Sequence, residues 1–278
     1  MMKGIKGKAL YTPKGAAREY GRVGCNFYIG CPHDCTYCYL KRGLLSHAMG
    51  KTEVTLKKCF KNEEHALDVF GKEAWMHWEQ LKETGIFFSF STDPMVSHTR
   101  DLTMLAAKEA TRLGIPVKVL TKAADSHKWK TMMSTLPEER RCLIAFGFTL
   151  TGCDDMEPGA PTNEERITAM QKMHEAGFRT FASIEPVIEI DKSLRMIDRT
   201  MDFCDLYLIG LRSGVKANCY KPTDITLLYH EVMALHAQGR RDFKVYWKKS
   251  FRKYMKKNGH EIADKPYFVE NDYNMFNE

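Results

Sequence analysis

Seven short apolar runs alternate with six amphipathic stretches through most of the chain, and this alternation limits the possible folds more than any other feature. The apolar runs are residues 22–29, 86–91, 117–121, 143–150, 179–185, 206–210 and 243–247. Most are apolar nearly throughout, as parallel strands covered on both faces should be. Between them, residues 62–84, 102–113, 126–136, 163–176, 193–203 and 223–238 carry helical periodicity. Leu113-Gly114-Ile115-Pro116 and Ala176-Gly177-Phe178 each stop a helix and lead into a strand. Thr162-Asn163-Glu164-Glu165 starts a helix, with acidic residues at the positive end of its dipole. Repeated βα units predict a parallel sheet with right-handed crossovers, either an open or incomplete (β/α) barrel or a doubly wound sheet. In both architectures the site lies at the C-terminal ends of the strands.

With 278 residues, 44% of them hydrophobic, the chain can bury a sizeable core in one large domain or two small ones. No apolar run approaches the ~18 residues of a membrane-spanning helix. The Lys/Gly-rich start has no apolar signal region. A cytoplasmic protein with no membrane partner is expected. Lys and Arg number 42 against 35 Asp and Glu, a net charge of +7, which permits an anionic partner without requiring one. Of nine cysteines, four (Cys25, Cys31, Cys35 and Cys38) fall within fourteen residues. In a reduced compartment such a cluster reads as a metal or redox site rather than a disulfide framework.

The first apolar run leads into Gly30-Cys31-Pro32-His33-Asp34-Cys35-Thr36-Tyr37-Cys38-Tyr39, with the spacing C-x3-C-x2-C. Three thiolates on one loop suit an iron–sulfur cluster, and on a four-iron cube they leave one iron open to a non-protein ligand. The competing reading is a structural zinc with Cys25 or His33 as its fourth ligand. The motif, with an aromatic before its last cysteine and a βα chain around it, resembles the radical S-adenosylmethionine (radical SAM) superfamily. The run from Asn26 to Tyr39 is similar to that of the spore photoproduct lyase-like branch and its phage-associated relatives. The resemblance implies a partial (β/α)6-type TIM barrel open on one side, to which the sequence adds an N-terminal lead and a basic C-terminal helix. It implies a [4Fe–4S] cluster on Cys31, Cys35 and Cys38, with S-adenosylmethionine (SAM) on the open iron. It also implies reductive cleavage of SAM to a 5′-deoxyadenosyl radical, hydrogen abstraction from a substrate, and an external electron donor such as flavodoxin or ferredoxin.

Residues that follow the other runs supply further candidates. Tyr37 matches the aromatic that lies near the adenine in the family; packing of the loop is its plainer role. Ser91-Thr92-Asp93 resembles the segment of this branch whose hydroxyl and carboxylate meet the amino group of SAM, a pairing that suits an ammonium. An Asp-Pro turn opening a helix is the alternative. Photoproduct lyases carry a hydrogen-donating cysteine immediately before that segment. This chain has Phe90 there, which counts against thymine-dimer repair by their route. Lys122 resembles a Thr-Lys strand end whose lysine pairs with the SAM carboxylate. Thr149 and Thr151 are candidates to meet the ribose. Glu185, in Ile184-Glu185-Pro186, is the candidate catalytic residue, facing ribose hydroxyls or substrate, unless it only serves the turn before Pro186. Arg212 is a candidate to hold an anionic group of the substrate.

Residues 240–257 contain nine Lys/Arg and one acid, with Trp247, Phe251, Tyr254 and Met255 at helical spacing. This predicts a helix docked by its apolar face. Its basic residues Lys248, Lys249, Arg252, Lys253, Lys256 and Lys257 are then either solvated or in contact with nucleic-acid phosphates. The expected organisation is a lead over residues 1–21, a barrel over 22–257 and an acidic, aromatic tail over 258–278. Three functions follow. The first is a radical SAM enzyme acting on nucleic acid or a nucleobase; the second is the same chemistry on a peptide or small molecule. The third is a non-catalytic, zinc-stabilised nucleic-acid-binding protein. Monomer and dimer are both open.

Overall fold

A computed structural model of the chain describes residues 4–42, 46–214, 219–271 and 273–277. Residues 1–3 of the expected lead and residues 272 and 278 of the expected tail lie outside them. The strands are β1 (Leu10–Tyr11), β2 (Gly24–Cys25), β3 (Tyr28–Ile29), β4 (Thr55–Leu56), β5 (Ile86–Phe88), β6 (Val117–Thr121), β7 (Ile144–Thr149), β8 (Arg179–Val187), β9 (Leu206–Leu211) and β10 (Lys244–Trp247). The α-helices are α1 (Ser46–Met49), α2 (Glu63–Met76), α3 (Trp78–Thr84), α4 (Arg100–Arg112), α5 (Ser126–Met133), α6 (Glu138–Arg141), α7 (Asn163–Glu175), α8 (Ile190–Thr200), α9 (Pro222–Ala237) and α10 (Lys249–Lys257).

Strands β2 and β5 to β10 pair in parallel and in chain order, with β1 antiparallel on the outer edge of β2. A doubly wound sheet reverses its strand order at a switch point. This one does not reverse, and among the described residues it does not close. The fold is a partial TIM-type barrel. Large side chains on one face of the sheet, such as Phe146 and Phe148, form the core under the helices, where Trp129 of α5 packs against them. The opposite, inward face gathers Phe87, Ala145, Phe181, Leu208 and Tyr246 into a second cluster. Met275, from the end of the tail, packs into that inner cluster. Among the described residues no helix is long and apolar enough to cross a membrane.

Two expected elements divide. The first run, residues 22–29, is β2 and β3 with a break at Asn26. The Asn26 side chain accepts from the Phe90 N–H (2.8 Å) and donates to the Tyr11 hydroxyl (2.8 Å), so it spans neighbouring segments instead of continuing the strand. Tyr28 and Ile29 then leave the barrel sheet and pair antiparallel with β4. The cysteine loop therefore follows a hairpin strand, not the barrel strand itself. The basic segment is likewise composite: β10 pairs with β9 before α10 begins.

Gly147 marks how tightly the inner face is filled. A Cβ there would sit 2.1 Å from the Phe181 ring, which is 1% exposed. Gly147→Ala should destabilise the fold by about 1–3 kcal/mol through overpacking, lowering Tm by roughly 2–4 °C per kcal/mol. Thermal denaturation checks this, and the loss should shrink in a Phe181→Leu background.

Candidate active site

The C-terminal ends of β5 to β10 and the cysteine loop line a cavity of about 470 Å³, inside the ~300–1,000 Å³ range of small-molecule sites. Cys31, Cys35, Cys38, Tyr37, Thr92, Asp93, Lys122, Thr149 and Glu185 all line it, as do Phe90 and Arg212. Thr151 does not. Its hydroxyl accepts from the Cys153 N–H (3.2 Å) and its own N–H goes to Asn163 (3.0 Å), which makes it a loop residue. Cys25 is buried in β2 and does not line the cavity.

Gly30 opens the cysteine loop at φ +84°, and a Cβ there would meet the Glu53 carbonyl oxygen at 2.0 Å, so only glycine suits the position. The Cys31 N–H donates to the Lys51 carbonyl (2.9 Å), and the Thr36 N–H to the Met156 carbonyl (2.9 Å). Burial pushes the Cys31 thiol up to about 12 and raises Cys35. A metal would have to displace those protons, because the thiolate is the ligand. Among the described residues, no three of His, Cys, Asp and Glu converge as ligands of one metal ion would. A structural zinc draws four ligands around one point with bonds of ~2.3 Å, whereas a polynuclear cluster gives each thiolate its own iron.

Asp93 is 7% exposed and accepts four hydrogen bonds. Oδ1 accepts from the Thr121 hydroxyl (2.6 Å) and the Met95 N–H (2.9 Å). Oδ2 accepts from the Lys122 N–H (2.7 Å) and lies 2.9 Å from His33 Nε2. The other ring nitrogen of His33 faces the Gly159 carbonyl at 3.0 Å. Both ring nitrogens thus face acceptors. Burial by itself would raise the Asp93 carboxyl, but His33 and the surrounding donors outweigh it and hold the group at about 2. A carboxylate offers about four lone-pair sites, and here all are taken. These contacts tie the cysteine loop to the ends of β5 and β6, while Asp93 still lines the cavity. The neighbouring Thr92 hydroxyl, by contrast, is buried and has no hydrogen-bond partner among the described residues.

Tyr37, between the last two cysteines, donates its hydroxyl to Glu157, whose other oxygen accepts from Arg166. Arg166 also donates to the carbonyls of Thr149 (2.7 Å) and Thr162 (3.3 Å). The Lys122 ammonium lies 5.5 Å from the Tyr37 ring centroid, within cation–π range. On the far wall, Glu185 Oε2 accepts from the Tyr20 hydroxyl (2.6 Å) and from the Lys248 ammonium. The Tyr20 hydroxyl also lies 2.7 Å from Ser183 Oγ, and the Lys248 ammonium sits 3.8 Å from the Tyr20 ring centroid.

Lys248 corrects an expectation. It is 1% exposed and faces the cavity rather than solvent, because it directly follows β10. Lys249, Lys253, Lys256 and Lys257 are exposed, and Arg252 pairs with Glu270 at 2.8 Å. The strand-end rule could have found Lys248, but the basic run concealed it. Glu157 and Arg166 carried no signal, one lying in a loop and the other on a helix that reads as amphipathic. Phe90 stacks on Phe87 (centroids 4.6 Å apart, 25° between planes). Among the described residues lining the cavity, the only thiols are those of Cys31, Cys35 and Cys38.

A match to the Radical SAM superfamily covers residues 25–204. An uncharacterized protein of Methanocaldococcus jannaschii is 26% identical over 197 residues, covering 66% of this chain and 67% of that protein. A spore photoproduct lyase complexed with dinucleoside spore photoproduct is similar in structure, with a TM-score of 0.63 at 12% identity, covering 84% of this chain and 78% of the lyase. Streptococcus suis SuiB bound to S-adenosylmethionine gives a TM-score of 0.51 at 13% identity, covering 82% of this chain and 51% of SuiB. At these identities the structural likeness is one of fold.

Asp93→Asn places amide hydrogens where the carboxylate receives donors and leaves His33 without its charge partner. Breaking a buried ion pair in this way costs about 3–5 kcal/mol. The variant should melt well below the wild type and retain less iron after anaerobic reconstitution. Unchanged melting and iron content would show that the cysteine loop does not depend on this tie.

Proposed function

As the chain belongs to the radical SAM superfamily, whose members are SAM-dependent enzymes with an iron–sulfur cluster, we propose that Cys31, Cys35 and Cys38 hold a [4Fe–4S] cluster and that the substrate is a nucleic acid or nucleobase. The observation that carries this reading is one cavity lined at once by three thiols of a single loop and by Thr92, Lys122, Thr149 and Glu185 from separate strand ends. When bound, the cluster and SAM supply a 5′-deoxyadenosyl radical for hydrogen abstraction, and the protein supplies placement and exclusion of water. The unpartnered Thr92 hydroxyl suits the SAM ammonium. Lys122, which has no carboxylate partner for its ammonium among the described residues, suits the SAM carboxylate. Tyr37 flanks the adenine, and Thr149 lies toward the ribose. Glu185, held by Tyr20 and Lys248, faces the substrate. Phe87, Phe90 and Leu120 supply apolar wall.

The nucleic-acid reading draws on charge. Lys14, Lys51, Lys122 and Arg212 line the cavity, and Arg212 Nε is buried without a partner. The exposed lysines of α10 add a second basic surface. The similar lyase is complexed with a dinucleoside photoproduct. With Phe90 in place of a cysteine, the described residues lining this cavity include no thiol beyond Cys31, Cys35 and Cys38 to return a hydrogen atom, so in this reading the route differs from that of the photoproduct lyases. An external one-electron donor such as flavodoxin or ferredoxin reduces the cluster in this reading.

Anaerobic reconstitution with iron and sulfide, followed by SAM and dithionite, tests the chemistry; release of 5′-deoxyadenosine is expected. Replacing Cys31, Cys35 and Cys38 together by Ala should abolish iron binding, whereas Cys25→Ala should keep the cluster. Iron loss in a folded Cys25→Ala variant would point to a four-cysteine site. Lys122→Ala removes a charge-assisted contact and should weaken SAM binding roughly 10- to 150-fold, from ~1.5–3 kcal/mol, without loss of iron. Equal SAM affinity in this variant and the wild type would take Lys122 out of the site.

Salt dependence tests the substrate class. Each phosphate contact contributes about −0.7 to −0.9 to the slope of log affinity against log salt, so four contacts from Lys249, Lys253, Lys256 and Lys257 give about −3. Neutralising all four should flatten the slope for every nucleic-acid sequence alike. Wild-type protein that binds neither DNA nor RNA in a salt-dependent way would favour a peptide or small-molecule substrate.

A further inference from the structure

Glu157 and Arg166 form an ion pair whose side chains are both 0% exposed. Such a pair gives up two hydration shells, and replacing it with well-packed apolar residues is often neutral or stabilising. Stability alone therefore gives little reason for it, whereas its geometry suggests one. The guanidinium is fixed by four partners: Glu157, the Asp154 carboxylate at 3.5 Å, the carbonyl of Thr149 at the end of β7, and the carbonyl of Thr162 before α7. A planar fork held in this way sets the carboxylate beside it in one orientation. Glu157 then presents its remaining oxygen to the Tyr37 hydroxyl.

Tyr37 lies between Cys35 and Cys38 in the loop, and these would anchor its backbone through the metal but leave the ring free to turn about its side-chain bonds. The hydroxyl contact is what holds the ring. Through Glu157 and Arg166 it is held relative to β7, whose Thr149 lines the same cavity. We propose that Glu157 and Arg166 are positioning residues that fix the Tyr37 ring on the cofactor side of the cavity, and so set SAM affinity rather than cluster content. The inference rests on the reading of Tyr37 as the adenine-side aromatic.

The test uses the reconstituted holoenzyme and three measurements: iron and sulfide content, Tm, and the dissociation constant for SAM by equilibrium dialysis. The Glu157→Leu/Arg166→Met double variant removes the pair without leaving an orphan charge. It should keep its cluster and melt near the wild type, but bind SAM about 3- to 10-fold more weakly, the scale of one lost hydrogen bond. Tyr37→Phe should show the same loss. Combining it with the double variant should add little, because all three changes break one chain of contacts. Wild-type SAM affinity in the double variant, or losses that simply multiply, would overturn the proposal. If that variant fails to fold, Glu157→Gln with and without Tyr37→Phe provides the same cycle. Tyr37→Ala separates the premise: if it leaves SAM affinity unchanged, the adenine-side reading of Tyr37 fails; if it weakens binding while the double variant does not, only the positioning role fails.

Discussion

A carboxylate removed from water must find a donor for each lone pair or bear a cost of several kcal/mol. Asp93 meets that demand with donors from three parts of the chain: His33 from the cysteine loop, Thr121 and Lys122 from the end of β6, and Met95 from its own segment. The rest of the cavity depends on this arrangement. Thr121, held by Asp93, in turn accepts from the Ala123 N–H (2.8 Å), which shapes the turn out of β6. Lys122 is fixed by its backbone while its ammonium stays available. His33 carries the constraint into the cysteine loop, and the Gly159 N–H returns a bond to the His33 carbonyl at 3.0 Å. The loop that carries the thiols is thus clamped by polar contacts on two sides, independently of any metal.

The open barrel creates a second demand. A sheet whose strands run in one order without closing leaves two edges and an unfilled side. The N-terminal lead answers it from the β1 side. Glu19, buried, accepts from the Tyr246 hydroxyl (2.9 Å) and the Lys249 N–H (2.7 Å), so the lead is fastened to β10 and the start of α10. That places Tyr20 against Glu185 and Ser183 and makes Ala16, Ala17 and Tyr20 part of the cavity wall. The tail covers the β10 side. Backbone bonds join Val245 N–H to the Tyr267 carbonyl (2.8 Å) and Val269 N–H to the Val245 carbonyl (2.9 Å), and Met275 fills the inner cluster.

The cavity consequently has two chemically distinct halves. One holds the three thiols, the Lys122 ammonium, which has no carboxylate partner among the described residues, and the Thr92 hydroxyl, which has no hydrogen-bond partner among them. The other holds the Glu185–Lys248–Tyr20 set, where an acid, a base and a phenol are already in mutual contact. Phe90, stacked on Phe87, lines the wall beside them. The Glu185 half is therefore polar through oxygen and nitrogen groups, and among the described lining residues the only thiols are those of Cys31, Cys35 and Cys38.

The sequence by itself determined what contiguous residues can encode. Apolar runs of strand length between helical stretches gave the parallel βα order, and β6 falls where its run does, over Val117–Thr121. The C-x3-C-x2-C spacing and the rule that sites follow strand ends brought the candidate residues to one cavity. Tertiary structure decided what each polar group has left to offer, because that depends on partners far away in the chain. His33 and Asp93 are 60 residues apart, and Thr121 and Asp93 are 28 apart. No local pattern shows that Asp93 is saturated while Thr92 beside it is not. The same reason hid Lys248, which joins a basic run in sequence but points into the barrel mouth because β10 pairs with β9 immediately before it. It also hid Glu157 and Arg166, which acquire meaning only when the loop after β7 packs against Tyr37. Periodicity and spacing are properties of neighbours along the chain, whereas the saturation of a buried charge is a property of neighbours in space.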